Sequence, residues 1–516
     1  MTESSAAPVL DYGPPERRLA RLWRHVPKAS RRTVLLALFA GLALWWLRVD
    51  HDPWVPVRAF PAAGSATGGH VSPDGRRLIV GNQAGPFGML GPFHVYDVRS
   101  GRRELSFGAP FEFARHARFS PDGARIVTVG GLIEETRLPS GGWRRTYGST
   151  TSLVRLWDAA TGRLVSNLGA VGQVSSGTPF PMQVHFSPDG KRLVTLDTEQ
   201  ATLYDAATGA AVAVLEQRGP PDGFAFIGDR AFFSPDGAKL AVSTLDYGPV
   251  RVRSEADGRV IAEYQPERGT PGGYNGAFTP DGQTFAFAAD GRAYAFNAET
   301  GRELFPPVVI EGSAARISPD GRRLLVTHDA RRADALTALD LSTGKPAATT
   351  RPVDPPGRSA VTWSPSGRHI LLLGDSGLEI LDAVTLRPRR LIAEVSAPFA
   401  GVTFSPDGSR AIILDRTGAY GPRVEFVSAA TWNPTSTIAD PLGSTHGRFT
   451  DAVFVGDAGH VLTSTDQGYV QLWRRRRPEP AWGIVALPQT WVAGVLSLGV
   501  LVSVWRDLAR FYAASR

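Results

Sequence analysis

The sequence predicts an all-β fold: a β-propeller of eight or nine four-stranded blades, flanked by N- and C-terminal transmembrane helices. Three observations predict it. The tetrapeptide Ser-Pro-Asp-Gly recurs along the chain, with Pro73, Pro121, Pro188, Pro235, Pro319 and Pro406 followed by Gly75, Gly123, Gly190, Gly237, Gly321 and Gly408. Variants stand at Pro280–Gly282 (TPDG) and Pro365–Gly367 (SPSG), and a worn ninth copy, FVGDAG, starts at Phe454. The turns are 39 to 50 residues apart except for one step of 67, near the roughly 40–45 residues of a four-stranded blade. Uncharged runs then bracket the repeats at both ends.

Each repeat element has its own chemistry. In ARFSPDGARIVTVG, Pro121 presets φ for the second position of a type I turn, Ser120 caps it, Asp122 tolerates the third position and Gly123 suits the fourth. Short runs rich in Val, Ile, Leu and Phe on both sides make a β-hairpin. A third strand follows, ending in an Asp or Asn turn with Gly: HVYDVRSGR at 94, VRLWDAATGR at 154, ATLYDAATGA at 201, AYAFNAETGR at 293 and LTALDLSTGK at 336. A further short run, such as RLVSNL, supplies the fourth. The long step contains an insertion, residues 132–150, expected to be an exposed loop.

VRLWDAATGRLV, with Trp157 and Asp158, resembles the tryptophan–aspartate strand of WD-repeat β-propellers. The resemblance covers residues 54–473 and implies the fold more than a function. Only Trp157 and Trp473 keep the Trp, with Tyr96 and Tyr204 as stand-ins, and the family's Gly-His dipeptide is nearly absent, so its hydrogen-bond network is not carried over. The SPDG emphasis is similar to bacterial Tol-type propellers.

The last repeat ends at YVQLW, residues 469–473, without a fourth strand, while WVPVRAF, residues 54–60, is an unused strand candidate before the first. The expectation is that it completes the last blade, which removes free sheet edges. Nine repeats exceed the usual four to eight blades, so eight and nine both stand at this stage.

The ends are different material. A basic tail, 1–32, with a candidate interfacial helix on Leu19, Leu22, Trp23 and Val26, or else a solvated basic tail, precedes an apolar segment, 33–48. That segment reads as a retained anchor, with a signal peptide as the alternative; the absence of a small-residue cleavage site favours the anchor. A basic linker, 474–480, leads to a 25-residue uncharged run, 481–505, and a short tail, 506–516. Residues 1–58 carry +4 and 474–516 carry +5 of the total +7, leaving −2 between them. The Arg-rich flanks therefore suit anionic membrane lipid, and no nucleic-acid partner is expected. Seven Lys/Arg before the first span predict cytoplasmic termini and an extracytoplasmic propeller; Arg474–Arg477 argue the other way.

The chain has no Cys, which excludes disulfides, thiolate metal sites and a Cys nucleophile. The GDSG at 374–377 reads as a hairpin turn between two strands. His94, His185 and His369 lie in or beside strands and read as packing or capping residues. The turns DAATGR and DLSTGK are similar to a quinone-dehydrogenase blade motif but lack its terminal Trp, and a hydrolase domain does not fit in the 43 residues after Trp473. No catalytic, cofactor or metal site is expected. The expected function is a membrane-anchored, non-enzymatic scaffold binding a protein or envelope partner; the alternative is an enzyme or ligand receptor with a site in the channel.

Overall fold

The computed structural model describes residues between Trp54 and Arg475, excluding 61–69, 86–87, 110–111, 138–142, 172–182, 197–199, 218–229, 244–247, 267–274, 290, 311, 329–335, 351–359, 375–376, 393–401, 416–422, 440–448 and 466–468. These residues form an all-β ring of nine blades: seven four-stranded sheets and one eight-stranded sheet made of two blades. Blades 1 to 8 span 70–107, 112–171, 183–217, 230–264, 275–309, 312–350, 360–392 and 402–439. Within each, consecutive strands pair antiparallel in chain order. Blades 1 and 2 merge because the third strand of blade 1, Gly88–Asp97, also pairs with Glu112–Phe119, through Met89↔Ala114 and Leu90↔Phe113.

Blade 9 closes the ring as the sequence predicts. Its strands Phe449–Val455, Asp457–Thr465 and Val470–Arg475 are completed by Trp54–Phe60. The register runs from Phe60↔Val470 to Trp54↔Arg475, with Arg474 opposite Val55. Trp54 is buried, stacks on Phe426 of blade 8 at 4.2 Å, and donates from Nε1 to Ser436 Oγ at 2.9 Å. Closure is thus fixed by side chains as well as by the ladder.

One expectation fails. The insertion 132–150 is not a loop: the second and third strands of blade 2, Arg125–Arg137 and Trp143–Asp158, continue into it, pairing Ile133↔Tyr147 to Arg137↔Trp143. Its β-branched and aromatic residues suit an extended hairpin.

The core lies in wedges between facing blades. Between blades 4 and 5, Val250 and Val252 pack with Phe285, Phe287, Tyr294 and Phe296; Phe287 stacks on Tyr294 at 4.9 Å. Burying one such aromatic side chain is worth about 1.5–3 kcal/mol. First strands of neighbouring blades meet one another, as in blades 1 and 2, 3 and 4, and 4 and 5, which places them around the axis. Fourth strands lie outside, and their patterns, such as eeieB in Pro388–Ile392, alternate toward solvent.

Alternating strand direction sorts the connections. The Pro-containing turns and the third-to-fourth turns share one face, here the turn face. Connections between second and third strands, and between blades, share the other, the connection face. The chain enters the ring at Trp54 and leaves at Arg475 on the turn face, because third strands end there. Among the described residues no helix is long and apolar enough to cross a membrane. The tail 1–32, the apolar segments 33–48 and 481–505, and the tail 506–516 lie outside the described residues.

Candidate functional site: the turn face of the ring

The Pro-containing turns are built alike. In blade 2, Gly123 N–H donates to the Ser120 carbonyl at 2.8 Å, with Gly123 at φ 70°, a region glycine enters without cost. Ser120 Oγ donates to Asp122 Oδ1 at 2.5 Å, and the same oxygen accepts Ala124 N–H at 2.9 Å. Ser120 Oγ itself accepts Arg125 N–H at 2.9 Å. The second-position prolines, Pro73, Pro121, Pro188, Pro235, Pro280, Pro319, Pro365 and Pro406, sit where no N–H is needed. Gly75, Gly190, Gly237, Gly282, Gly321, Gly367 and Gly408 share the positive φ. Hydroxyl donation by the opening Ser or Thr holds the carboxyls of Asp236, Asp281, Asp320 and Asp407 below the usual range.

The third-to-fourth turns consume a second set of carboxylates. Asp158 Oδ1 accepts from Thr161 N at 2.9 Å and Thr161 Oγ1 at 2.8 Å, while Oδ2 meets Arg125 at 3.0 Å. Trp157 donates from Nε1 to Thr128 Oγ1 at 2.9 Å, and Trp473 to Thr463 Oγ1 at 2.9 Å, both buried. These predicted residues cap turns or tie the third strand to the second.

Sequence reasoning missed a set of latches between blades. The second residue after the turn Gly is basic in six of the eight Pro-containing turns, as in SPDGAR and SPDGKR. Five of these side chains reach into the next blade. Arg77 donates to the carbonyls of Ala159 and Gly123 at 2.7 and 2.6 Å. Arg125 reaches the Ala206 and Ala207 carbonyls at 3.1 and 2.9 Å, and Arg192 those of Glu255 and Ala256 at 3.3 and 3.4 Å. Lys239 meets the Gly282 carbonyl at 3.3 Å, and Arg323 that of Ala383 at 2.7 Å. Arginine suits this role because its planar fork serves several acceptors at once. The available signal was the basic residue at fixed offset from each Gly.

Blades 5, 7 and 8 depart from these patterns, with Thr284 at the latch position of blade 5. His369 occupies the latch position of blade 7, with its ring edge-on to Trp432 at 5.8 Å. Burial pushes its imidazole below the usual range, Arg389 and Arg368 acting the same way and Asp382 opposing. Leu386 and Trp432 stand where other third-to-fourth turns have Gly, at φ 55° and 59°, and both are buried.

The channel side is sparse in chemistry. Arg118 and Arg316 are exposed on first strands. His185 is pushed below the usual range by burial, then by Arg118; away from the first strands, His94 on the third strand of blade 1 is pushed the same way by burial, with Nδ1 2.8 Å from Ser106 Oγ on the fourth. Glu112 is buried at the junction of blades 1 and 2, 2.6 Å from Arg155 and accepting Ala109 N–H at 3.1 Å. Burial pushes its carboxyl up against both partners. GDSG is a hairpin, with Gly374 opposite Gly377. Among the described residues no three His, Asp or Glu side chains are grouped to hold a metal ion.

No protein-family model and no curated relative matches the sequence. Among solved structures, the chain is similar to a eukaryotic initiation factor, with TM-score 0.52 and 17% identity over 74% of this chain and 88% of that one. At that identity the likeness shows a shared fold. The C-terminal WD40 domain of Sif2 matches with TM-score 0.45 and 10% identity, covering 71% of this chain and 97% of that one. The Myceliophteria thermophila Cps50 (Swd1) β-propeller domain matches with TM-score 0.36 and 13% identity, over 58% and 97%.

Proposed function

We propose that this chain is a membrane-anchored, non-enzymatic propeller that binds a protein partner at the cell envelope, with its ring outside and both termini in the cytoplasm. The observation that carries the reading is the pairing of Trp54 with Arg475. Both apolar flanks join the ring at one point of one blade, on the turn face, so two spans bracketing the propeller would tether it there and turn that face toward the bilayer. The Arg-rich flanks favour anionic lipid. The connection face would then look away from the membrane, and connections of this kind are where binding residues concentrate. Carboxylates of the turn face are committed to caps and latches, which leaves them poorly suited to acid–base work. The SPDG spacing further suggests a bacterial Tol-type relationship.

The test is crosslinking in intact membranes. A photocrosslinking residue at Tyr469, exposed on the connection face of blade 9, should trap a protein, and one at Asp236 on the turn face should not. Trapping at Asp236 alone overturns the assignment of faces. Release of the protein by a high-pH wash overturns the anchor.

A further inference from the structure

Seven of the eight Pro-containing turns carry the same oxygen. Oδ1 of Asp74, Asp122, Asp189, Asp236, Asp281, Asp320 or Asp407 accepts the opening hydroxyl at 2.5–2.7 Å and a backbone N–H at 2.9–3.1 Å. Blade 7 has Ser366 there. Its shorter side chain leaves Oγ 3.3 Å from Ser364 Oγ and 3.5 Å from Arg368 N, at or beyond the outer edge of useful hydrogen bonding. The turn is otherwise intact, with Gly367 N–H on the Ser364 carbonyl at 2.9 Å and His369 N–H on Ser364 Oγ at 3.0 Å. Two donors thus converge where an anionic oxygen stands in every sister turn.

The turns on either side, which touch this one through Pro319 and Gly408, carry Asp320 and Asp407, both already capped by Ser318 and Ser405, while blade 7 itself adds arginines. Arg368, Arg387 and Arg389 are exposed and Arg390 is half-buried, reaching Asn433 of blade 8. The acid of the same blade's second turn, Asp382, is occupied by Arg389 at 2.8 Å and by Thr385. Val384, 60% exposed, lies in the same third-to-fourth turn.

We infer that the blade 7 turn is an oxyanion site, in which a phosphoryl group supplies the oxygen that Asp provides elsewhere. A phosphoryl group satisfies both donors and still offers oxygens to arginines. Its source is an anionic lipid headgroup, a step that rests on the tethered reading above, because the turn face then meets the bilayer and exposed Val384 meets its interface.

The test uses the full chain in phosphatidylcholine nanodiscs, titrated with inorganic phosphate at constant ionic strength against chloride. Phosphate should raise the thermal midpoint of the natural chain. Ser366→Asp, which restores the sister-turn residue, should raise the midpoint without phosphate and weaken phosphate binding by about tenfold or more. Arg368→Gln should weaken binding while leaving the phosphate-free midpoint close to that of the natural chain. An equal phosphate response in the natural chain and Ser366→Asp, or no advantage of phosphate over chloride, overturns the site. A second arm replaces part of the lipid with phosphatidylglycerol. A midpoint rise in the natural chain that Ser366→Asp lacks supports the lipid source. A phosphate response without this lipid response overturns that source and assigns free phosphate, while failure of the chain to stay in nanodiscs overturns the tethered reading and leaves the phosphate arm readable in detergent.

Discussion

Trp54 and Arg475 are Cα partners in antiparallel register, so the residue that opens the ring lies against the residue that ends it. The strand Trp54–Phe60 thereby supplies the outer edge of blade 9 and, through the Trp54 ring on Phe426, contacts blade 8.

Loss of this clasp should cost more than loss of the blade 2 hairpin. Trp54→Ala removes a buried ring and the bond to Ser436, and large-to-small changes of this kind cost about 3–5 kcal/mol. Excision of residues 133–147 shortens a paired extension beyond the blade and should cost less. Denaturant unfolding of both variants checks this, and equal losses would contradict the clasp.

The latches make a second prediction. Arg192→Ala should destabilise by about 1–3 kcal/mol, because carbonyls of blade 4 and the Asp205 carboxylate lose a charged donor. Arg192→Lys should recover only part of this, since one ammonium cannot span all three acceptors. Full recovery by Lys in chemical denaturation would show that charge alone matters.

Leu386 tests a trade between backbone and core. Its φ of 55° costs a non-glycine residue about 1–2 kcal/mol, while truncating a buried Leu costs about 2–5 kcal/mol. Leu386→Gly should therefore be less stable by about 1–3 kcal/mol. A gain in stability would mean that the side chain contributes little to the wedge between blades 6 and 7.

The turn carboxylates set the acid response. Asp236 and Asp320 have folded pKa values below the ordinary 3.8, first through the hydroxyls of Ser234 and Ser318. Their stabilising contribution is full above the unfolded value and is lost as pH falls through the folded one. Asp236→Asn and Asp320→Asn should lie below the natural chain in thermal midpoint at pH 7, and the gap should narrow below about pH 3.8. A gap that stays constant down to pH 2 would contradict this account.

Much of the fold was legible because turn chemistry is local. The Pro and Gly of SPDG dictate a hairpin whatever surrounds them, and the strand 54–60 was recognisable as an unpaired remainder. Blade number stayed open because nothing local separates eight from nine. The third-to-fourth turns of blades 4, 7 and 8 were hidden by substitution: Ser254 and Ser428 replace the capping Asp, and Leu386 and Trp432 replace Gly. Wedge packing holds those backbones where propensity does not. The hairpin in 132–150 is hidden because the segment reads as an insertion between repeats, and the strands that continue into it, paired from Ile133↔Tyr147 to Arg137↔Trp143, are absorbed into the loop. The latches depend on contacts between blades about 45 to 80 residues apart in sequence, as in Arg77 with Gly123 and Ala159, which no local pattern displays.

The most direct test of the tethered ring uses the absence of native cysteine. Single cysteines at Tyr469, on the connection face of blade 9, and at Val384, on the turn face of blade 7, are exposed to a membrane-impermeant maleimide in sealed spheroplasts. Tyr469→Cys should label rapidly and Val384→Cys slowly, with equal labelling of the two after detergent. Equal rates in sealed spheroplasts would contradict the turn face lying toward the bilayer, and labelling of neither until lysis would place the ring inside.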